Sequence, residues 1–557
     1  MKKIYLVSSV ILSIFSLSAK AQTTSTYERV YTIFQGKCML GCHSSSSLSG
    51  NLSLQGTPEE VYARLVNVNP TNPAAVANHL KRVDPGYPKT SYLFKKVNHG
   101  LDPKLVLSAG EGSLMPNNGS ITINNEEIEL IRQWILWGAP DTGLTYNVNL
   151  IHNFYAGQGM AEATPPPTPE EEGKEGYQVK FGPIFVDTLG EFEYFQPYKT
   201  NATSAKEIYK MTSKMSSSSH HWVLRSINAG GESNFPVSPM LGTTVQAQTL
   251  VYQYARYMGV WQFSGDIPLP TGTAIFQDSG QAILLNLHIP NYSGDSLLAA
   301  TAYINIYTQP ANSGAVEMHT DLATYGGFNP FVLQIPPTGQ PFTLQNHFTV
   351  AGETRYFWTM QAHSHSRGTD YDMFLANQDG TKGEQIYEGF YNEDYTANQN
   401  YYNYTHPAVR RFSPLLEVDM NKGLVFEATW VNNTPETIPF GFTTKEEMFI
   451  TYFQYTSELP PNAIEETSYG INSLSIYPNP SKDVFNLSYT TNHTTNVAVD
   501  LFDYTGKKLK AIFSGLQTEG KQHLQLNAEK ENLASGIYFV TVNVNGSISS
   551  KKLIRIE

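Results

Sequence analysis

The chain of 557 residues has only two cysteines, Cys38 and Cys42, four positions apart. So few thiols exclude a disulfide framework, and whatever chemistry they carry is local. Charge is scarce as well: Asp, Glu, Lys and Arg make up 15% of residues, against about 25% in ordinary globular domains. The net charge of −12 excludes the basic footprint of a nucleic-acid binder. Long apolar runs are missing too. The longest uncharged apolar stretch, residues 4–17, is shorter than a bilayer span. It follows Lys2-Lys3 and precedes Ala19-Lys20-Ala21, so residues 1–21 are expected to be a secretory signal peptide. Export of that kind permits disulfides. Tyr, Thr, Ser and Asn fill the space that charge leaves, as expected of an extracellular β-rich protein.

Two proline-containing acidic seams divide what remains. "GMAEATPPPTPEEEGKEG" at 159–176 reads as a stiff, solvated linker, and "SELPPNAIEETSYG" at 457–470 as a shorter one. Three segments result, 23–158, 177–457 and 470–557.

In the first segment, "YERVYTIFQGK" places Val30, Ile33 and Phe34 at helical spacing just before Cys38. His43 directly follows Cys42. A disulfide, half of a metal site and a haem anchor are the three readings of that loop. Three residues, Met39, Leu40 and Gly41, separate the cysteines, where haem attachment motifs usually have two. Gly41 is free to adopt the backbone angles of a one-residue bulge. "EGSLMPNNG" offers Met115 as a second axial ligand, with His79 and His99 as rivals. Asn124 and Glu127 form a capping box ahead of Ile128, Ile131, Trp134 and Ile135 on one helix face. Helix, Cys-loop-Cys-His, Met-Pro loop and Trp-containing closing helix together resemble the small all-α cytochrome c domain across residues 27–141. The resemblance implies covalently bound haem c on Cys38 and Cys42, with His43 and Met115 as axial ligands.

The middle segment holds three clusters among the 14 histidines. His220 and His221 are adjacent, His288 ends the apolar run "QAILLNLH", and His363 and His365 lie two apart. Residues i and i+2 of a strand share a face, so His363 and His365 can grip one metal. Phe357, Thr359 and Gln361 are expected on that face, with Trp358, Met360 and Ala362 opposite. Imidazole alone leaves zinc, copper and iron open. Met448, beside Glu446 and Glu447, adds a soft thioether that favours copper.

The order His-His, His, His-x-His and Glu-Met before an aromatic strand resembles the copper type II monooxygenases, the family of peptidylglycine hydroxylase and dopamine β-hydroxylase. The likeness covers residues 180–457. It implies two β-sandwiches, 177–320 and 321–457, and two copper ions. His220, His221 and His288 match the electron-storing copper; His363, His365 and Met448 match the copper where O2 binds and a C–H bond is hydroxylated. Familiar members are disulfide-rich, whereas these sandwiches must rest on packing. Gln361 stands where the peptide-amidating branch has an arginine, which argues against a C-terminal glycine peptide. Tyr452 matches a substrate-side tyrosine of that branch. Ascorbate is the family's usual reductant, and the attached haem or a redox partner protein is the alternative source of electrons.

The end of the chain, with "YPNP", "DYTGKKL" and "SGIYFVTVNVNG", resembles the type IX secretion C-terminal sorting domain over residues 471–557. It implies a small β-sandwich read by sorting machinery at the outer membrane. Ile537 and Phe539 alternate with Tyr538, Val540, Val542 and Val544 ahead of an Asn545-Gly546 hairpin turn. The expected whole is a secreted copper monooxygenase acting on an unknown organic substrate. The rival readings are a non-catalytic electron-transfer or metal-binding surface protein and a metal-free adhesin.

Overall fold

The computed structural model describes residues 24–39, 41–117, 119–160, 162–200, 202–216, 221–261, 265–327, 332–389, 408–460, 472–491, 494–503, 507–544 and 547–556. The expected signal peptide, His220 and the Asn545-Gly546 turn lie outside these residues. The chain divides into two compact units, Met1–Glu458 and Leu459–Glu557.

Helices come first, and their starts are written in side-chain caps. Ser25 and Glu28 close a capping box on α1 (Thr26–Ile33), Thr57 and Glu60 on α2 (Pro58–Leu65), and Asn124 and Glu127 on α3 (Asn125–Leu136). Each box satisfies N–H groups that the first turn leaves without partners. The face of α3 read from the sequence is the buried one: Ile128, Ile131, Trp134 and Ile135 are fully enclosed. They pack with Tyr27, Val30, Phe34, Val61 and Leu65 of α1 and α2.

The 159–176 seam is packed in part: residues 170–175 stay exposed, but the proline run is tied to the sheet. Its proline carbonyls face polar side chains of the following sheet: Gln178 Nε2 donates to Pro166 O at 3.3 Å and Asn305 Nδ2 to Pro167 O at 2.7 Å. Tyr307 Oη donates to Glu172 at 3.0 Å. Helices and sheets also meet directly, through Gln133 Nε2 on Pro183 O (2.8 Å), the Lys180–Asp102 ion pair (2.6 Å) and Trp137 packed edge-on against Tyr194 (5.5 Å). The physical reason is satisfaction of polar groups: a proline run offers acceptors without donors, and the sheet supplies the donors.

Two β-sandwiches follow. In the first, β1 (Gly176–Val186), β2 (Glu191–Tyr198), β3 (Lys206–Met215), β4 (His221–Ile227), β5 (Ala255–Trp261), β6 (Ile283–Pro290) and β7 (Leu298–Pro310) make the principal strands. One sheet centres on the order β3-β7-β1 and the other runs β2-β6-β4-β5. The second sandwich has β8 (His319–Thr324), β9 (Pro341–Phe348), β10 (Thr354–His363), β11 (Gly368–Ala376), β12 (Val409–Asp419), β13 (Leu424–Val431) and β14 (Ile450–Thr456). Its sheets are ordered β8-β14-β10-β12 and β9-β13-β11. Each sandwich encloses its own apolar cluster, with Trp222, Leu285 and Ile304 in the first and Phe357, Trp430 and Phe453 in the second.

A bulge on β10 corrects the expected alternation. The register slips between Phe357 and Thr359 against both neighbouring strands. Phe357 therefore joins Met360 and Ala362 in the second core, while Trp358 packs into the first. A bulge adds one residue to one strand and reverses the side on which earlier residues point.

The second unit pairs β15 (Val484–Thr491) in a small three-stranded sheet. A four-stranded sheet contains β16 (Thr495–Asp503), β17 (Gly536–Val544) and β18 (Ser547–Arg555). Tyr538, Val540, Val542 and Val544 are buried while Ile537 and Phe539 face outward, as the alternation predicts.

Candidate cofactor and metal site

The N-terminal cysteines are free thiols, so the disulfide reading is not what the chain forms. The helical path of α1 runs on through Phe34–Met39, and Gly41 turns the loop at φ 82°, in the left-handed region that glycine tolerates. Cys38, Cys42, His43 and Met115 all line one cavity of about 440 Å³, walled by Phe34, Leu54, Leu65, Leu93 and Val97. Burial, then the charge of Glu127, pushes the Cys38 thiol up to about 12. His43 Nδ1 lies 3.1 Å from Leu52 O. A carbonyl partner on Nδ1 fixes the tautomer that leaves Nε2 as the ligating atom. Of the two rivals to Met115, His79 is exposed and His99 Nε2 lies 2.8 Å from Met115 O, where it holds the methionine loop.

The second site sits where the two sandwiches face each other. On β4, Trp222 and Leu224 fill the first core, which turns His221, Val223 and Arg225 to the other side; Val223 packs into the second sandwich's cluster. On β6, the run Ile283, Leu285, Leu287 and Ile289 points inward, leaving Asn286 and His288 on the outer face. His288 stands opposite His221 in the ladder. From across the gap come His363 at the end of β10 and His365 just beyond.

The four imidazoles form a ring of contacts. Centroids are 5.1 Å apart for His221–His288, 5.2 Å for His221–His363, 5.4 Å for His363–His365 and 6.2 Å for His288–His365. One contact between the sandwiches, His221–His363, is as short as those within them. Among the described residues, the histidines of the two expected three-ligand sets therefore lie side by side in one cluster. The reason is that the facing sheets pack directly at their histidine-bearing ends. The imidazole donors do not close on a single point: among the described residues, three ionisable ligand atoms come within 4.8 Å of one another only at Asp370, Asp372 and Glu388, an acidic group elsewhere on the second sandwich.

Burial disfavours protonation of three of the four imidazoles. Desolvation lowers His221 and His363 well below the ordinary imidazole range, and lowers His365 to about 4. Two carboxylates to which the sequence assigned no role, Glu191 and Glu447, fix the rings. Glu191 Oε1 accepts from His288 Nε2 at 2.7 Å and from Thr444 N at 3.0 Å, tying the first sandwich to a loop of the second. Burial opposes its ionisation, but the bonds from His288 and Thr444 win and hold it below the usual range. Glu447 is wholly enclosed and accepts from the backbone N–H of His365 (2.8 Å) and Arg367 (2.7 Å) and from Trp430 Nε1 (3.2 Å). Desolvation raises it to about 7. His365 Nδ1 lies 3.0 Å from Glu446 O, which leaves Nε2 to face the cluster. The signals available in the sequence were the alternating acids of "EFEYF" and the pair preceding Met448.

Met448 is buried in the second sandwich's apolar cluster, beside Phe449 and Ile450. Gln361 and Tyr452 are opposite one another in the ladder, and the Tyr452 ring lies 5.9 Å from His363. Tyr452 thus borders the imidazoles, with Gln361 across the ladder from it.

A family model for the secretion system C-terminal sorting domain matches residues 475–557. The chain is therefore exported by type IX secretion, to the cell surface or the medium. No curated protein matches the chain. Among solved structures it is similar to the β-glucuronidase of Ruminococcus gnavus (11% identity, 39% of this chain and 35% of that chain, TM-score 0.16) and to that of Faecalibacterium prausnitzii (10% identity, 39% and 36%, TM-score 0.15). The matched part spans about a third of those enzymes, and likeness at that level carries no argument about this chain.

Proposed function

We propose that this is a secreted copper-dependent monooxygenase that hydroxylates a C–H bond with O2, drawing electrons through an attached c-type haem or from ascorbate. The observation that carries this reading is the convergence of four buried imidazoles from two sandwiches. Neutral imidazole is the ligating form, and a buried cluster of it with carboxylate and carbonyl partners on the outer nitrogens has the composition of a copper site.

His221 and His288 would hold one ion and His363 and His365 the other, within a single centre. Copper when bound supplies one-electron chemistry with O2; the protein supplies position and dryness. Glu191 orients His288, Glu447 and Glu446 orient His365, and Trp358 and Val223 close the seam between the sheets against water. Gln361 and Tyr452 border the space where a substrate C–H bond would be presented.

The cavity containing Cys38, Cys42, His43 and Met115 fits a haem, because its thiols, its oriented imidazole and its thioether share one apolar wall. The packed strap at 159–176 supports a fixed relation between that cavity and the copper centre, so electrons need no domain swing. Oxygen uptake by the purified chain tests the function: it should require both added copper and an oxidisable organic substrate. Metal binding with substrate-independent redox cycling, and no uptake coupled to hydroxylation, would make this an electron-transfer protein instead.

A further inference from the structure

Glu191 opens β2 one step along the ladder from the pair His288 and Glu193, so it stands diagonal to His288. Both of its carboxylate oxygens are used. Oε1 accepts from His288 Nε2 at 2.7 Å and from Thr444 N at 3.0 Å, and Oε2 accepts from Thr444 Oγ1 at 2.9 Å. Glu191 and Thr444 are 253 residues apart and belong to different sandwiches.

The loop that holds Thr444, residues 443–448, also reaches the other half of the cluster. It is closed at its start, where the Glu446 carboxylate accepts from Thr443 N at 3.1 Å and from Thr443 Oγ1 at 2.5 Å. It is laced to the segment just past β10: Thr444 O accepts from Ser366 Oγ at 3.1 Å and from Arg367 Nη1 at 3.2 Å, and Lys445 O from Arg367 Nη1 at 3.0 Å. Glu446 O meets His365 Nδ1, and Glu447 takes the backbone N–H of His365. Met448 follows directly. A continuous run of hydrogen bonds therefore leads from the His288 ring through Glu191, Thr444 and the loop backbone to the His365 ring. A turn closed on itself and laced along one side moves as a unit, so a shift at Thr444 carries Glu446 O and Met448 with it. Partners of this kind on the outer nitrogen set the direction in which an imidazole presents its ligating atom.

We infer that Glu191 is a positioning residue for the second sandwich's ligands as well as for His288: acting through Thr444, it sets the loop that orients His365 and presents Met448. This rests on the monooxygenase reading for the identity of the metal. The positioning itself exists in the metal-free chain and is measured there.

The experiment is hydrogen–deuterium exchange of the metal-free full chain, read on the peptide spanning 443–450. Glu191→Ala should speed exchange there by roughly 10- to 100-fold, the worth of a hydrogen bond to a charged group. Exchange in α3 should stay the same, which shows that the chain is folded. Glu191→Gln keeps an acceptor oxygen and should fall between wild type and Glu191→Ala. Glu193→Gln alters the next acid on the same face, which Asn286 Nδ2 engages instead, and should leave the peptide unchanged. The second readout is Cu(I) affinity, by competition with a chelator, in a His221→Ala, His288→Ala background that keeps His363, His365 and Met448. Adding Glu191→Ala should weaken it by about 5-fold or more, the lower end of coupling between sites. Unchanged exchange at 443–450 in Glu191→Ala would overturn the inference. Faster exchange with unchanged Cu(I) affinity would overturn it too, leaving Glu191 a tie between sandwiches with no part in ligation. If Glu191→Ala does not fold, Glu191→Gln and Thr444→Val weaken the same link, and unchanged exchange in both would be equally fatal. Faster exchange in a chain whose wild type takes up no copper would reject the copper reading and keep the positioning of His365 by Glu191.

Discussion

The cysteine-lined cavity and the imidazole cluster are two candidate cofactor sites built in opposite ways. In the cavity, Cys38, Cys42 and His43 come from one short loop and Met115 from another, and an open volume of about 440 Å³ separates the two. In the cluster, ligands 77 and 142 residues apart meet ring to ring across a seam between two sandwiches. A local loop can be shaped before its cofactor arrives. A seam exists only once both sandwiches have folded. The difference teaches that loss of a cluster ligand should be felt by both sandwiches, whereas loss of a cysteine should stay in the helices.

The sharpest break in that comparison is His363→Ala. Hydroxylation should fall below detection and copper content should drop, with the haem absorbance unchanged. A full copper complement in the variant would remove His363 from the centre. The converse is a double Cys38→Ala, Cys42→Ala variant. It should yield no haem-stained polypeptide after denaturation and acidic solvent extraction, yet take up copper as before. Haem still attached would return the loop to an ordinary thiol pair.

Met448 lies between the two behaviours, because the structure gives it a core role and the sequence a ligand role. Met448→Leu nearly conserves volume, a change that usually costs under about 1.5 kcal/mol. The variant should keep its thermal midpoint within a few degrees and lose most hydroxylation. Unchanged turnover would make Met448 a packing residue only.

Much of the first site was legible because its information is contiguous. Cys38, Cys42, His43 and Met115 stand out in two short stretches and line one cavity, and the Ile128, Ile131, Trp134 and Ile135 face, read from helical spacing, is the buried one. The cluster was legible only in part. Period-two spacing gave the shared grip of His363 and His365, but nothing local says that β4 and β10 face each other, so the side-by-side placing of the two expected sets was hidden. The bulge at Trp358 and the packing of the proline strap were hidden for the same reason: each is decided by a partner strand remote in sequence. Glu191 and Glu447 read as ordinary charges until their neighbours are placed around them.

A smaller effect should appear in pH dependence. Glu447 is held to about 7 in the fold against an ordinary 4.5. Between those values the unfolded chain binds fewer protons than the folded one, so this group's contribution to stability falls as pH rises from about 4.5 to 7 and is level above. At about 1.4 kcal/mol per unit, the loss is roughly 3 kcal/mol. Glu447→Gln should flatten that part of the profile, measured as the difference in denaturant midpoints between mildly acidic and neutral solution. Asp372, also raised to about 7 by burial and neighbouring acids, contributes equally to both proteins and cancels. Parallel profiles would show that Glu447 titrates as an ordinary carboxylate.

The central claim is that the imidazoles of both sandwiches make one centre. Electron paramagnetic resonance of the fully copper-loaded, oxidised protein tests it most directly. With His221 in ring contact with both His288 and His363, the two Cu(II) ions should interact, giving a broadened or diminished signal. His288→Ala should convert it to a single sharp one. Two sharp, independent Cu(II) signals at full intensity in the wild type, with His288→Ala removing one and leaving the other untouched, would contradict the account.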